Sequence, residues 1–173
     1  MRRSLVPVAT ALLLAAGCHP EPDSERLRTL LTEAVEGVLW TSESDFPFVV
    51  FVIPGDAPAP PTRDTIQDRI APVYGQRPGN LALADRAVEV TTVDDVLQPR
   101  IEPREWWTGE EHETARRLQA LRDLLIDEVH GAQVFRIGPR DPFQGLSPDI
   151  DVFFVGTSDE GDLVGVSTVS IET

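Results

Sequence analysis

The stretch that decides the fold is Asp151-Val152-Phe153-Phe154-Val155-Gly156-Thr157-Ser158-Asp159-Glu160-Gly161-Asp162-Leu163-Val164-Gly165-Val166, which continues as Ser167-Thr168-Val169-Ser170-Ile171-Glu172-Thr173. Its apolar and β-branched segments, 151–155 and 163–171, predict two strands. The polar segment 158–162 between them predicts a hairpin turn. The second strand runs on toward Thr173, so a free carboxylate there would stand at the end of an ordered element. Such a group is either a rigid anionic probe for a metal- or arginine-lined pocket, or the end of a core strand without a further role.

The spacing of apolar residues predicts helices around these strands. A first helix begins near Asp23 or Ser24 and carries leucines and valines at three- and four-residue spacing. The longest helix covers residues 110–129, with a capping box of Thr108 and Glu111 at its start and a stop at Gly131. The stripe of this helix that we expect to be buried consists of Ala115, Leu118, Leu121, Leu125 and Val129.

Shorter segments complete the predicted fold. The run 48–53 is continuously apolar, which is typical of a strand buried on both faces. Further predictions are strands at 87–91 and 133–137, a short helix at 92–97, and one or two helical turns at 62–70 that end at Pro72. We therefore expect an α+β fold: an α-β-α sandwich with a largely antiparallel sheet and a long helix before the C-terminal strands.

Residues 1–17 predict a signal peptide. Arg2 and Arg3 form a basic start, and the apolar stretch after them has about a dozen residues, fewer than the roughly 20 of a transmembrane helix. Small residues directly before Cys18 resemble a bacterial lipobox, in which the cysteine is lipidated and becomes the mature N-terminus. We expect a lipid anchor on Cys18 in the bacterial cell envelope, with ordinary secretion as the alternative. Residues 18–23 would then be a tether and residues 24–173 one domain.

The charge of the sequence is strongly negative. The formal net charge is −14 at pH 7, and removal of residues 1–17, with their two arginines and no acid, changes it to −16. Nucleic acid phosphates would repel such a protein, so we expect no direct nucleic acid binding. The charge favours a basic partner, although solubility alone also explains an acidic composition.

The sequence offers no convincing catalytic or metal-binding constellation. His112 lies in an acidic helical segment, but a zinc peptidase helix needs a second histidine four residues later, where this sequence has Arg116. Asp149 and Asp151 share one face of a strand and could hold a divalent cation, although a polar strand start is the favoured explanation of both. We expect neither enzyme activity nor a cofactor. A metal-dependent hydrolase using these two aspartates is the last alternative.

Five segments, in one order along roughly residues 26–173, resemble the nuclease A inhibitor family. They are 39–53 with its turn Ser42-Glu43-Ser44, Pro103-Arg104-Glu105-Trp106-Trp107, 133–138, 151–156 and 165–173. The resemblance implies the same α-β-α architecture. It also implies the function of the family, whose members are small acidic proteins that block a non-specific, magnesium-dependent DNA/RNA endonuclease.

The resemblance assigns partner-binding residues as well. In the family, the acid that matches Glu43 contacts basic groups of the nuclease, and the residue that matches Trp106 is exposed at the interface. The C-terminal threonine, matched by Thr173, places its carboxylate near the catalytic magnesium. Arg104 and Glu105, beside Trp106, are further candidates. Aromatic and arginine side chains are frequent hot spots of protein interfaces, which agrees with this set.

A second interpretation stays open. The chain carries proline- and glycine-rich segments at 55–80 and 139–148, either of which would cover or extend the expected interface. A protein can keep its fold and change its partner. The alternative function is therefore an envelope lipoprotein of the same fold that binds a different basic protein.

Overall fold

The centre of the fold is the antiparallel sheet that contains the C-terminal strands. The computed structural model describes residues 22–55, 59–75, 86–141, 145–146 and 149–171. The helices are α1 Asp23–Val35, α2 Arg63–Thr65, α3 Ala71–Tyr74, α4 Val93–Ile101 and α5 Gly109–Asp127, with a π-helical turn Ile66–Ile70 between α2 and α3. The strands are β1 Leu39–Thr41, β2 Asp45–Pro47, β3 Val49–Ile53, β4 Arg86–Thr91, β5 His130–Asp141, β6 Gly145–Leu146, β7 Asp149–Thr157 and β8 Leu163–Ile171.

Among the described residues the sheet has six strands, and the paired strands there are all antiparallel. Their order is β3-β8-β7-β5-β4, with β6 paired to β5 outside this path. Every residue of β8 from Leu163 to Ser170 is buried, as expected for a strand with neighbours on both sides. Phe153 and Phe154 of β7 point to opposite faces and are both fully buried. β1 and β2 form a separate hairpin.

Helices cover both faces of the sheet. The first face packs against α1, α4 and α5, and its buried residues include Leu27, Leu31, Leu97, Leu121, Leu125, Phe154, Val164 and Val166. The second face packs against the segment from α2 to α3, and its buried residues include Phe51, Ile66, Ile70, Phe135, Phe153 and Val155. The predicted α+β fold, an α-β-α sandwich with a largely antiparallel sheet, is therefore confirmed.

Three local predictions are wrong. β3 lies at the edge of the sheet, and only Phe51 of its five residues is fully buried, because apolar composition does not distinguish an edge strand from a central one. Pro72 does not end its helical segment, since it lies in the first turn of α3, where a proline is tolerated. Gly131 does not stop α5, which ends at Asp127. Instead it has a φ of 61° within β5, where the pairing with β7 shifts in register.

The start of α1 is fixed to the turn between β7 and β8. The carboxylate of Glu160 accepts hydrogen bonds from the backbone N–H groups of Asp23 at 2.8 Å and Ser24 at 3.3 Å. The N–H of Asp23 is also the chief reason that the pKa of Glu160 lies below its usual value. Because this turn precedes β8, α1 begins at the end of the strand opposite Ile171, roughly 26 Å away for nine residues.

Candidate partner-binding site

Glu43 lies at the tip of the β1–β2 hairpin. Thr41 pairs with Asp45, which leaves Ser42, Glu43 and Ser44 as the loop between the two strands. The Ser42 hydroxyl donates to the Ser44 carbonyl at 3.1 Å, and the Ser42 N–H donates to the same oxygen at 3.2 Å. Serine closes its own turn in this way, and the Glu43 side chain is left exposed. The sequence predicts an acidic turn here, but not the short strands on either side of it.

The loop is bound to the last described residue of β8. The N–H of Ile171 donates to the Ser42 hydroxyl at 3.0 Å, and the N–H of Glu43 donates to the Ile171 carbonyl at 3.3 Å. Glu43 is therefore held beside the end of the strand that leads to Glu172 and Thr173. Thr173, like Cys18, lies outside the described residues, so the structure does not place either of these two predicted site residues.

The base of the hairpin is fixed by Trp40 and Arg100. Trp40 is buried and packs edge-on against Phe48 and Phe154, with ring centroids 6.0 and 5.9 Å apart. The Arg100 guanidinium lies 3.7 Å from the centroid of the Trp40 ring, a cation–π contact, and its Nη1 donates to the Thr41 carbonyl at 2.7 Å. The roles of these two residues are not predictable from the sequence, because no local pattern pairs a helix arginine with a strand 59 residues earlier.

Arg104, Glu105 and Trp106 lie in the turn between α4 and α5, and all three are exposed. The N–H of Trp107 donates to the Arg104 carbonyl at 3.1 Å, which closes the turn. The Trp106 side chain is 73% exposed, and the Arg104 guanidinium lies 5.7 Å from its ring centroid. Trp107 is half-buried and meets the His112 ring edge-on. Trp106 is thus the exposed member of the tryptophan pair, as the resemblance implies.

A groove of about 440 Å³ separates this turn from the hairpin. Its walls include Leu39 and Thr41 on the hairpin side, and Arg104 and Trp107 on the other side. Leu39 is 46% exposed, so apolar surface is available at this groove as well as at Trp106. The structure therefore joins the Glu43 loop to the end of β8, and it places Arg104 across this groove from Thr41, the strand residue that precedes the loop.

Of the aspartate pair in the hydrolase alternative, the structure describes the side chain of Asp151 alone. Asp151 is buried, with 5% exposure, and the side chain of Asp149 lies outside the described residues. Within the described ranges, no group of three or more histidine, cysteine, aspartate or glutamate side chains could hold a metal ion. In that same part of the chain, no helix combines the length and the apolar character that crossing a membrane requires.

Comparison with known proteins agrees with the resemblance. The sequence matches the family described as nuclease A inhibitor-like protein over residues 25–173. No curated protein matches the chain. The family match begins in α1 and includes every strand of the sheet, the hairpin loop and the Arg104–Trp106 turn. The chain therefore belongs to the nuclease A inhibitor-like family.

Proposed function

We propose that this protein inhibits a non-specific, magnesium-dependent DNA/RNA endonuclease by occupying its active site. Family membership supports nuclease inhibition in general. The observation that carries the finer proposal is the pair of hydrogen bonds between the Glu43 loop and Ile171. Because of these bonds, the exposed carboxylate-bearing residue Glu43 is held beside Ile171, two residues before Thr173 in the sequence.

Charge brings the two proteins together. The net charge of −14 makes the inhibitor attractive to a basic nuclease cleft, and such complementarity raises the association rate, most strongly at low salt. The same charge repels nucleic acid, so the inhibitor contacts the enzyme and not its substrate. The inhibitor therefore competes for the surface on which the nuclease binds phosphates.

Individual groups then replace the substrate. Glu43 pairs with nuclease arginines that otherwise hold phosphate, and each such charge-assisted bond contributes about 1.5–3 kcal/mol. The carboxylate of Thr173 approaches the magnesium region in place of the scissile phosphate. Trp106 adds apolar contact area, and Arg104 and Glu105 contribute polar contacts beside it.

A titration tests the proposed function. Increasing amounts of the protein, purified with its native C-terminus, are mixed with a magnesium-dependent non-specific nuclease, and DNA cleavage is followed. We expect cleavage to stop near one inhibitor per enzyme. Undiminished cleavage by several such nucleases at large excess would reject the proposal. If a different, salt-sensitive protein partner were then recovered, the protein would be the alternative lipoprotein with another basic partner.

Replacement of Trp106 tests whether its side chain contributes to nuclease binding without contributing to the stability of the fold. We expect Trp106→Ala to weaken inhibition about tenfold, which corresponds to about 1.4 kcal/mol, because the side chain is exposed in the free protein and buried only in the complex. Its melting temperature should stay close to that of the wild type. Trp107→Ala is the matched control, since Trp107 packs on His112 and its loss should lower the melting temperature. Equal inhibition by Trp106→Ala and the wild type would remove Trp106 from the interface.

We further propose that Cys18 carries a lipid and holds the inhibitor in the bacterial cell envelope after removal of residues 1–17. The start of α1 lies at the opposite end of β8 from the Glu43 loop, which supports an arrangement in which the anchored protein keeps its site open to a nuclease. Cells that express the protein should incorporate a palmitate analogue into it, and Cys18→Ala should abolish the labelling. An unlabelled wild type would show that Cys18 is not lipidated.

A further inference from the structure

We infer that Ser42 is a positioning residue that joins Glu43 and the C-terminal end of β8 into one inhibitory unit. The inference rests on the proposed function and adds a residue that touches no partner group itself. Its role is to hold the Glu43 loop against the last described residue of the terminal strand. Loss of the Ser42 hydroxyl should therefore weaken both anionic contacts with the nuclease at once.

The Ser42 hydroxyl has both of its hydrogen-bonding roles filled. It donates to the Ser44 carbonyl at 3.1 Å and accepts from the Ile171 N–H at 3.0 Å. The first bond fixes the direction of the hydroxyl and the second ties the loop to β8. Ser42 is half-buried, and of the two bonds the one to Ile171 is partly shielded from water.

The loop continues the hydrogen-bonding pattern of a strand at Ile171. The N–H of Ile171 donates to the Ser42 hydroxyl, and the carbonyl of Ile171 accepts a hydrogen bond from the Glu43 N–H at 3.3 Å. On the other side of β8, Ile171 pairs with Asp149 of β7. β3 cannot provide the loop's contact, because its pairing with β8 reaches only Ser167. Ser42 and Glu43 therefore contact Ile171 on the same side of β8 as β3, beyond the point where the pairing with β3 ends.

This position matters because both proposed anionic residues are close to it in sequence. Glu43 directly follows Ser42, and Thr173 follows Ile171 by two residues, a reach of at most about 7 Å of extended chain. A loose loop would have to be ordered again when the nuclease binds, and that ordering reduces affinity. Alanine at position 42 removes the acceptor for the Ile171 N–H, whereas threonine keeps a hydroxyl at the same place.

The test compares three variants of the purified protein with a native C-terminus. We expect Ser42→Ala to raise the inhibition constant about tenfold, through lost preorganisation, and Ser42→Thr to restore most of the inhibition. Thr168→Val is the matched control, because the Thr168 hydroxyl makes another bond from β8 to the same hairpin, to the Pro47 carbonyl at 3.2 Å. It should leave the inhibition constant within about twofold of the wild type, since it lies away from Glu43 and Ile171. If Ser42→Ala and Thr168→Val raised the inhibition constant equally, Ser42 would act through hairpin stability alone.

A double-mutant cycle tests whether the effect of Ser42→Ala on inhibition depends on the carboxylate of Thr173. Ser42→Ala is combined with one residue added after Thr173, and the penalty of Ser42→Ala should shrink in that background because the terminal contact is already lost. A full, additive penalty would overturn the coupling to the chain end.

Hydrogen exchange of the Ile171 amide provides a readout without the nuclease. The amide should be protected in the wild type and in Thr168→Val, and should exchange faster in Ser42→Ala. Fast exchange of the Ile171 amide in the wild type would show that the hydrogen bond from Ile171 to Ser42 is absent. A protected amide in a protein that inhibits no nuclease would instead reject the proposed function, and the positioning role with it.

Discussion

A protein with one additional residue after Thr173 is expected to inhibit at least about 100-fold less strongly than the native protein. The extension converts the Thr173 carboxylate into an uncharged peptide group and moves the free carboxylate one residue further along the chain. Truncation of one member of a desolvated charge pair costs about 2–5 kcal/mol, which is about 30-fold or more in affinity. The added residue also has to fit into the space beside the nuclease metal. Inhibition constants of the two forms measure the effect directly.

The fold should tolerate this extension. β8 pairs with β7 along its whole length up to Ile171, and the residue is added beyond that pairing. The melting temperature should therefore be unchanged. Addition of the same residue before Asp23, where α1 begins at the opposite end of β8, is the matched control and should inhibit normally. If the C-terminally extended protein inhibits as well as the native one, occlusion by the terminal carboxylate is wrong.

The layers of this fold could be predicted because their signals are local. The spacing of Leu118, Leu121 and Leu125 already indicates a helix with one buried face, and the structure buries all three. Thr108 and Glu111 are close enough in sequence for their capping box to be recognised without any tertiary information. The same holds for the strand-turn-strand unit of β7 and β8, since a short polar turn between two apolar segments forces them to pair.

The construction of the site could not be predicted, because its contacts join distant parts of the chain. Ser42 and Ile171 are 129 residues apart, and neither residue type indicates that the other is its partner. Arg100 is similar: an arginine on an exposed helix face usually remains in solvent, and here it stacks on Trp40. Glu43 was found only through the family resemblance, since an acidic turn before a strand is ordinary on its own.

Glu43→Gln is expected to weaken inhibition by about 10- to 100-fold, the loss of one charge-assisted bond of about 1.5–3 kcal/mol. Glutamine keeps the shape of the side chain and removes only its charge. The backbone bond from the Glu43 N–H to Ile171 does not involve the side chain, so the loop should keep its position. Inhibition constants and melting temperatures of the variant and the wild type measure the two effects separately.

Asp45→Asn decides whether the charge of Glu43 acts by contact or at a distance. Asp45 is exposed, lies two residues later in the same hairpin, and loses the same single charge. If the two acids only steer association, both variants should slow it equally, and the effect should fade as salt rises, because exposed charges are screened within about 10 Å at 0.1 M. If Glu43 pairs directly with nuclease arginines, Glu43→Gln should mainly speed dissociation, and this effect should persist at high salt because the pair is desolvated. Equal behaviour of the two variants at all salt concentrations would assign Glu43 to the general acidic surface and leave the terminal carboxylate as the main inhibitory group.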